Sequence, residues 1–383
     1  LVSIFLIGNL EADGSRLQLS LVLGGLFGYT LQRSRFCFLC MWRDFVEYGD
    51  PRGPIGLVVA LGVGVAGYTL IFGAWLPDPS GQRLPPTAHI GPVGPVLVLA
   101  GLAFGAGMVI SGSCISAHLY RLAEGSPTAP FALLGSMIGF GLGFMSWNFL
   151  YLNSLSDAPV IWMPQYLGYG GALGITLAIF GGLLIYLFQQ QSRLGLGSAP
   201  ERFRDVRPAL TALFVDRWPT WIGGLIIGVI GTASYFRLAP IGVTAEIGSR
   251  ARQVADAVRL LPERLEGLDT LRGCATIIRE TILTPNGAFI LGLVMAAAIA
   301  SAGAGAFKPA RPRMHNVIRG LVGGVFLGWG SLLGLGCTVG TLLSGVSAGA
   351  ASGWVFGITT LLSVTLGLKI ERWVSHRQTS SIR

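Results

Sequence analysis

Two cysteines far apart in the chain sit in matching surroundings. One lies in Ser111-Gly112-Ser113-Cys114-Ile115-Ser116, the other in Gly334-Leu335-Gly336-Cys337-Thr338-Val339. Each follows a glycine-spaced apolar run, with Gly101, Gly105 and Gly107 in the first case and Gly324, Gly328 and Gly330 in the second. A shift of 223 positions superposes all three glycines and the cysteine, which points to a duplicated unit with a thiol at its centre. Taken singly, a buried cysteine is most often a small apolar side chain with a weak S–H donor. The repetition separates Cys114 and Cys337 from that role. At the start of a new helical stretch, a thiol meets unpaired N–H groups and the positive end of the helix dipole. That field suits an anion and favours the thiolate. Anion and thiol at one place fit a negative ligand that carries sulfur or a similar atom.

The neighbours of the thiols are the next candidates. Gly112 and Gly336 let the chain turn and bring bare backbone close to whatever passes, and Ser113 and Thr338 flank the thiols as candidate lining residues. The more distant glycines of each run serve helix packing, because small residues let helices approach. Cys37 has a different context, with Arg33 and Arg35 just before it. An arginine in or beside a span is costly and usually functional, yet near a helix end it also snorkels to the interface. Both readings stand for Arg33 and Arg35. His118, Arg121 and Glu124 follow Cys114 at helical spacing and fit a gate, an internal ion pair or solvated interface positions. The five cysteines form no zinc-type pattern. Cys37-Phe38-Leu39-Cys40 is a lone CxxC outside any βαβ context. No metal site, cofactor or catalytic group is expected, and the chain carries no nucleotide-binding loop that would imply direct ATP drive.

The elements that must hold these groups follow from composition. Of 383 residues, 52% are hydrophobic and 12% charged, with mean hydropathy +0.64, whereas a soluble domain carries about 25% charged residues. Apolar segments of about 20 residues recur, the length that crosses a bilayer core. The expectation is an all-α polytopic membrane protein with about nine transmembrane helices. Two helices break, at 111–114 and 334–337, where the thiols lie. The segments divide as an N-terminal piece (1–16), a first four-helix repeat (17–150), and a linker helix with a loop (151–218). A second four-helix repeat (219–370) and a tail (371–383) follow. The single linker crossing turns the two repeats over relative to each other. Loops rich in Lys and Arg at 189–217 and 308–313, and the tail, then share the cytoplasmic side, as the positive-inside rule requires. Net charge +9 is thereby a matter of topology, and nucleic acid is not an expected partner. A charged insert at 237–285 reads as an amphipathic surface helix or hairpin rather than a span. Its arginines sit awkwardly on the outer side. Residues 1–10 are too short to span, and they fit either a signal-like remnant or the end of a helix. Inverted repeats with broken helices are a recurring transporter design, with the site at the repeat interface. Interrupted backbone at membrane depth must be buried or line a cavity.

Three motifs carry a resemblance. Arg-Ser-Arg-Phe-Cys37-Phe with Arg43-Asp44-Phe45, Gly-Ser-Cys114 before Tyr120-Arg-Leu-Ala-Glu-Gly125, and Gly-Leu-Gly-Cys337 resemble the cysteine motifs of the YeeE/YedE sulfur-transport family. The resemblance covers both halves. It implies a bacterial inner-membrane importer of thiosulfate, with nine spans in two inverted halves and no enzymatic activity. Cys37, Cys114 and Cys337 would relay the anion through the central pore by transient S–H···S contacts. It also implies a small cytoplasmic sulfur-carrier protein as a partner beside the bilayer. Cys40 and Cys274 match no motif and are read as structural or incidental. Two alternatives stay open: selenium or other sulfur species as cargo, and covalent handling in which a cysteine carries sulfur as a persulfide.

Overall fold

The computed structural model describes residues 14–81, 83–194, 211, 214–262, 264–268, 271 and 284–380. The 1–10 stretch, Cys274 and the arginines at 202, 204 and 207 lie outside the described residues. Thirteen helices make up the described chain: α1 (Gly14–Ser34), α2 (Phe38–Tyr48), α3 (Arg52–Trp75), α4 (Pro95–Ser111), α5 (Ile115–Ala123), α6 (Ala129–Leu150) and α7 (Met163–Arg193), then α8 (Thr220–Arg237), α9 (Val243–Ala257), α10 (Pro285–Gly303), α11 (Met314–Leu333), α12 (Thr338–Ser347) and α13 (Ala351–Ser380). No strand occurs among the described residues; two isolated bridges, Pro92 with Val160 and Trp162 with Ala350, tie loops together. Seven helical stretches are long and apolar enough to cross a membrane: α3, α4 continued through α5, α6, α7, α10, α11 and α13. Helices α1, of 21 residues, and α8, of 18, occupy the positions of the other two expected spans.

Local chemistry sets the helix ends. Proline opens α4, α6 and α10 at the first or second position, where its missing N–H costs nothing. Thr284 caps α10, accepting the Gly287 N–H at 2.9 Å. Gly49 (φ 71°) and Gly112 (φ 82°) end α2 and α4 in the left-handed conformation, which a glycine adopts without a Cβ penalty.

The order of helices on either side of α7 is the same: long, short, long, long, short, long. Packing follows that order. Helix α1 lies against α10 and α3 against α8; α6 lies against α11 and α13 against α4. In both pairs of contacts a helix of one half packs on the non-equivalent helix of the other. Equivalent helices meet across the centre, α1 with α8 and α4 with α11. The short helices obey the same exchange. α5 packs on α6 and α10, α12 on α13 and α3; α2 packs on α3 and α13, α9 on α10 and α6. The main contacts between the two halves therefore come in mated pairs.

Glycines hold these contacts at backbone distance. A Cβ at Gly324 would meet the Ala132 carbonyl and one at Gly328 the Ser136 carbonyl. One at Gly101 would meet the Thr359 hydroxyl, and one at Gly105 the Ser363 side chain. Hydrophobic burial does not drive helices together within lipid, so close packing carries the association. Gly328→Val is accordingly expected to lower stability by about 1–3 kcal/mol or more, because the facing carbonyl belongs to a helix that cannot yield. The thermal midpoint of purified protein in detergent reads this effect. Gly181→Val, at a position with nothing within 4 Å, should leave the midpoint unchanged.

Candidate functional site

Each short helix begins at a turn that interrupts the chain after a long one. Arg35 takes the left-handed conformation (φ 52°) between α1 and α2, and Cys37 then opens α2 in extended geometry. Gly112 turns the chain after α4, and Cys114 opens α5. Leu335 (φ 58°) turns it after α11, and Cys337 opens α12, whose first turns are π-helical. The fourth instance has no cysteine: α8 ends, the chain passes Pro240, and Gly242 opens α9. None of the four opening residues spends a side chain on capping. The first-turn N–H groups of each short helix are thus not consumed by a cap.

The first cluster joins the starts of α2 and α5. Cys37 is 0% exposed and Cys114 2%, so both thiols are out of bulk water. The Cys37 sulfur is 3.4 Å from Ser113 Oγ and lies within hydrogen-bonding reach of the Cys114 and Cys40 thiols. The Cys114 sulfur is 3.4 Å from Ser116 Oγ. Arg121, one turn and a half into α5, donates to the Gly112 carbonyl at 3.1 Å and to the Cys40 sulfur at 3.0 Å. His118 Nε2 is 3.1 Å from Ser111 Oγ. A Cβ added at Gly112 would meet nothing within 4 Å, so open space adjoins the turn itself.

The second cluster surrounds Cys337, 0% exposed, at the start of α12. Thr244, in the first turn of α9 and equally buried, faces its thiol, and beyond that weak contact the Thr244 hydroxyl has no hydrogen-bond partner. The Thr341 hydroxyl donates to the Gly334 carbonyl at 2.7 Å and fixes the turn. Gly336 is pressed between Thr341 and His89, and Thr338 is buried beside Cys337. A pocket reaches this turn from the loops after α3 and α6, lined by His89, Gly91, Ser154, Leu335 and Thr341 among others.

The charged candidates occupy separate places. Arg33 is buried at the end of α1, where its guanidinium donates to the carbonyls of Phe214 at 2.7 Å and Val215 at 2.8 Å. It ties the approach to α8 onto α1 and does not touch a thiol. Arg35 pairs with Glu124 at 3.5 Å, and Gln32 donates to the same carboxylate at 3.2 Å. Of the triplet after Cys114, then, Glu124 enters an internal ion pair while His118 and Arg121 brace the turn. Arg33→Ala leaves two carbonyls without their donor. With hydrogen bonds to a charged group contributing about 1.5–3 kcal/mol, it should lower the thermal midpoint clearly. Arg33→Lys, which reaches one carbonyl, should fall between.

Two participants escaped the sequence reading. Cys40, read as structural, takes a hydrogen bond from Arg121 and touches Cys37; its i, i+3 spacing from Cys37 was the available signal, since such residues share a helix face. Thr244 belongs to the charged insert, read as a surface element. The structure corrects that reading for the first turns of α9. Val243 and Thr244 are 0% exposed and Ala245 1%, and the helix packs on α6 and α10. Arg250 pairs with Glu246, which also accepts from Thr284 Oγ1 at 2.7 Å, and Arg252 lies over the Phe144 ring. The small residues Gly248, Ala251 and Ala255 form a buried stripe, too weakly apolar to stand out in the sequence among arginines and acids.

Comparison with known proteins places the chain among transporters of sulfur compounds by sequence. The thiosulfate transporter TsuA of Spirochaeta thermophila is 27% identical over 356 residues, covering 89% of this chain and 95% of that protein. TsuA of Escherichia coli K12 is 22% identical over 370 residues, 92% of this chain and 93% of its own. The probable transporter YedE of Escherichia coli K12 is 25% identical over 191 residues, half of this chain and 45% of that protein. Residues 33–366 match the family described as sulphur transport and so include all three motif cysteines. With both halves inside the match, the chain belongs to the sulphur transport family.

Proposed function

We propose that this protein imports thiosulfate across a bacterial inner membrane. The anion passes between two oppositely oriented halves, and Cys337, Cys114 and Cys37 hand it on through transient S–H···S hydrogen bonds. The observation that carries this reading is the placement of three buried thiols at the starts of short helices. Each helix leaves its first-turn N–H groups uncapped, and together they offer dry positions where an anion gains donors as it loses water. The mated packing of the halves and the single linker helix α7 favour an inverted repeat, with α1 and α8 completing nine spans. Cys337, which follows the Gly334–Leu335 turn that the pocket among the outer loops reaches, then belongs to the outer half, and the Cys37–Cys114 pair to the inner half beside the arginine-rich side.

The chemistry selects for a terminal sulfur. A thiol is a weak donor, so it replaces little of the hydration of a hard sulfate oxygen but matches a soft sulfur. Weak binding at successive sites is also what conduction needs, since a tightly held ion does not leave. Gly112 supplies a turn without a side chain, Gly336 follows the Leu335 turn where a side chain would meet Thr341, Ser113 and Thr338 supply hydroxyls, and Arg35 with Glu124 stands at the inner mouth. A small cytoplasmic sulfur-carrier protein is the fitting acceptor there.

Uptake of radiolabelled thiosulfate into proteoliposomes tests this proposal, with sulfate, sulfite and selenium oxyanions as competitors. Saturable uptake blocked by unlabelled thiosulfate and little affected by sulfate is expected. No uptake by the intact protein, or equal competition by sulfate, would refute it. Mass spectrometry of the protein after exposure to substrate checks the covalent alternative, which alone leaves added mass on a cysteine.

A further inference from the structure

The four short helices make a set of three thiols and one gap, and the gap is filled. Helices α5 and α12 correspond, each opened by a cysteine; α2 and α9 correspond, with Cys37 opening the first and Gly242 the second. In the first cluster Cys114 has Cys37 within hydrogen-bonding reach. In the second, Cys337 has Thr244, two residues past the opening Gly242, within hydrogen-bonding reach. We propose that the Thr244 hydroxyl is the fourth group lining the substrate path, paired with Cys337 as Cys37 is with Cys114, and that it donates to an oxygen of the sulfur oxyanion. This rests on the transport reading above and assigns a specificity-determining residue within it.

The state of that hydroxyl is the independent observation. Several threonines in the long helices dispose of their hydroxyl by donating to the carbonyl four residues back. Thr30 does so to Leu26, Thr69 to Val65, Thr232 to Gly228 and Thr365 to Leu361, at 2.8–3.0 Å. Thr244 lacks this outlet, because the residue four back is Pro240, before the helix begins. Its side chain is 0% exposed, and apart from the weak contact with the Cys337 thiol its hydroxyl has no hydrogen-bond partner, a costly condition for a hydroxyl away from water. Thr360 and Ser331 share the missing bond but sit inside long helices, α13 and α11, not at an opening beside a thiol. At a helix start, next to a sulfhydryl, an unspent O–H is a donor held ready for a ligand.

The division of labour follows from donor strength. Thiosulfate presents one soft sulfur and three strongly hydrated oxygens. Thiols match the sulfur but replace little of the oxygens' hydration; a hydroxyl is the stronger donor and does replace it. A path lined only by thiols would favour the sulfur end and leave the oxygens unpaid in the dry region. Thr244 beside Cys337 lets both ends be held at once where the anion first leaves water.

The test compares Thr244→Val, which keeps shape and loses the hydroxyl, with Thr244→Ser, which keeps the hydroxyl. Both are reconstituted and assayed for thiosulfate uptake beside the intact protein. The valine variant should need at least about tenfold more thiosulfate for half-maximal uptake, and the serine variant should stay within about threefold of the intact protein. A valine variant equal to the intact protein overturns the proposal, and so does a serine variant as impaired as valine, since that marks packing alone. Should valine prevent folding, Thr244→Cys decides: a methanethiosulfonate reagent should add mass at position 244, more slowly when thiosulfate is present. Absence of labelling, or labelling indifferent to thiosulfate, overturns it. Failure of the intact protein to take up thiosulfate would instead refute the transport reading on which the assignment stands.

Discussion

Cys114→Ser should reduce thiosulfate uptake by about 30- to 150-fold while leaving the protein folded. The substitution changes one atom in a site that is already polar, with Ser116 Oγ 3.4 Å away and Ser113 beside Cys37, so the fold has little to lose. Transport loses more, for two reasons. A C–O bond is shorter than a C–S bond, so the hydroxyl oxygen falls short of the position from which the thiol reaches Cys37. An alcohol also seeks a strong acceptor, and Ser116 and the adjoining backbone offer one, so the new hydroxyl would settle locally instead of passing a soft anion along. Removing one matched donor from the proposed path is expected to cost about 2–3 kcal/mol of the barrier, and each 1.36 kcal/mol is about tenfold in rate. Uptake kinetics in proteoliposomes and growth on thiosulfate as sole sulfur source both read the effect, with detergent melting curves as the folding control. Uptake within a few-fold of the intact protein would show that the thiol is dispensable and would remove the relay.

How much of this was legible beforehand depends on the residue. The all-helical membrane class was written in composition, and the two broken positions in the repeated glycine–cysteine pattern, because duplication preserves side chains that pack backbone against backbone. Gly324 and Gly328 face carbonyls of α6 just where the pattern reserves them for packing. Partners across long separations were not legible. Nothing in Cys40 announces Arg121, which comes from another helix 81 residues away. Nothing in Arg33 announces the carbonyls of Phe214 and Val215 that absorb its charge. Thr244 was hidden differently. Charges dominate the pattern of α9, and the apolar signal of its buried side comes from glycine, alanine and serine, whose small transfer energies barely register. Only the three-dimensional match of α9 to α2 exposes the threonine.

Arg121 should prove the most demanding residue of the inner cluster after the thiols. Its guanidinium uses two separate N–H groups, one on the Gly112 carbonyl at 3.1 Å and one on the Cys40 sulfur at 3.0 Å. The first contact fixes the left-handed turn that aims Cys114, and the second fixes Cys40 against Cys37. The cation also places a positive charge next to the Cys37 and Cys40 thiols, where the proposed path would carry an anion. Arg121→Met removes both roles and should cut uptake at least about tenfold and lower the melting midpoint, since truncating a partly buried hydrogen-bonded charge leaves its partners unpaired. Arg121→Lys separates the roles. Lysine restores the charge but cannot hold two acceptors in a planar fork. If attraction of the anion is the larger part, lysine should recover most of the uptake, and raised salt should weaken that recovery by screening. If orientation of the turn is the larger part, lysine should remain as slow as methionine at every salt concentration. The short, two-armed geometry favours the second result, because a charge alone needs no such fork, whereas a glycine in left-handed conformation next to open space needs something outside the chain's own helix to hold it still.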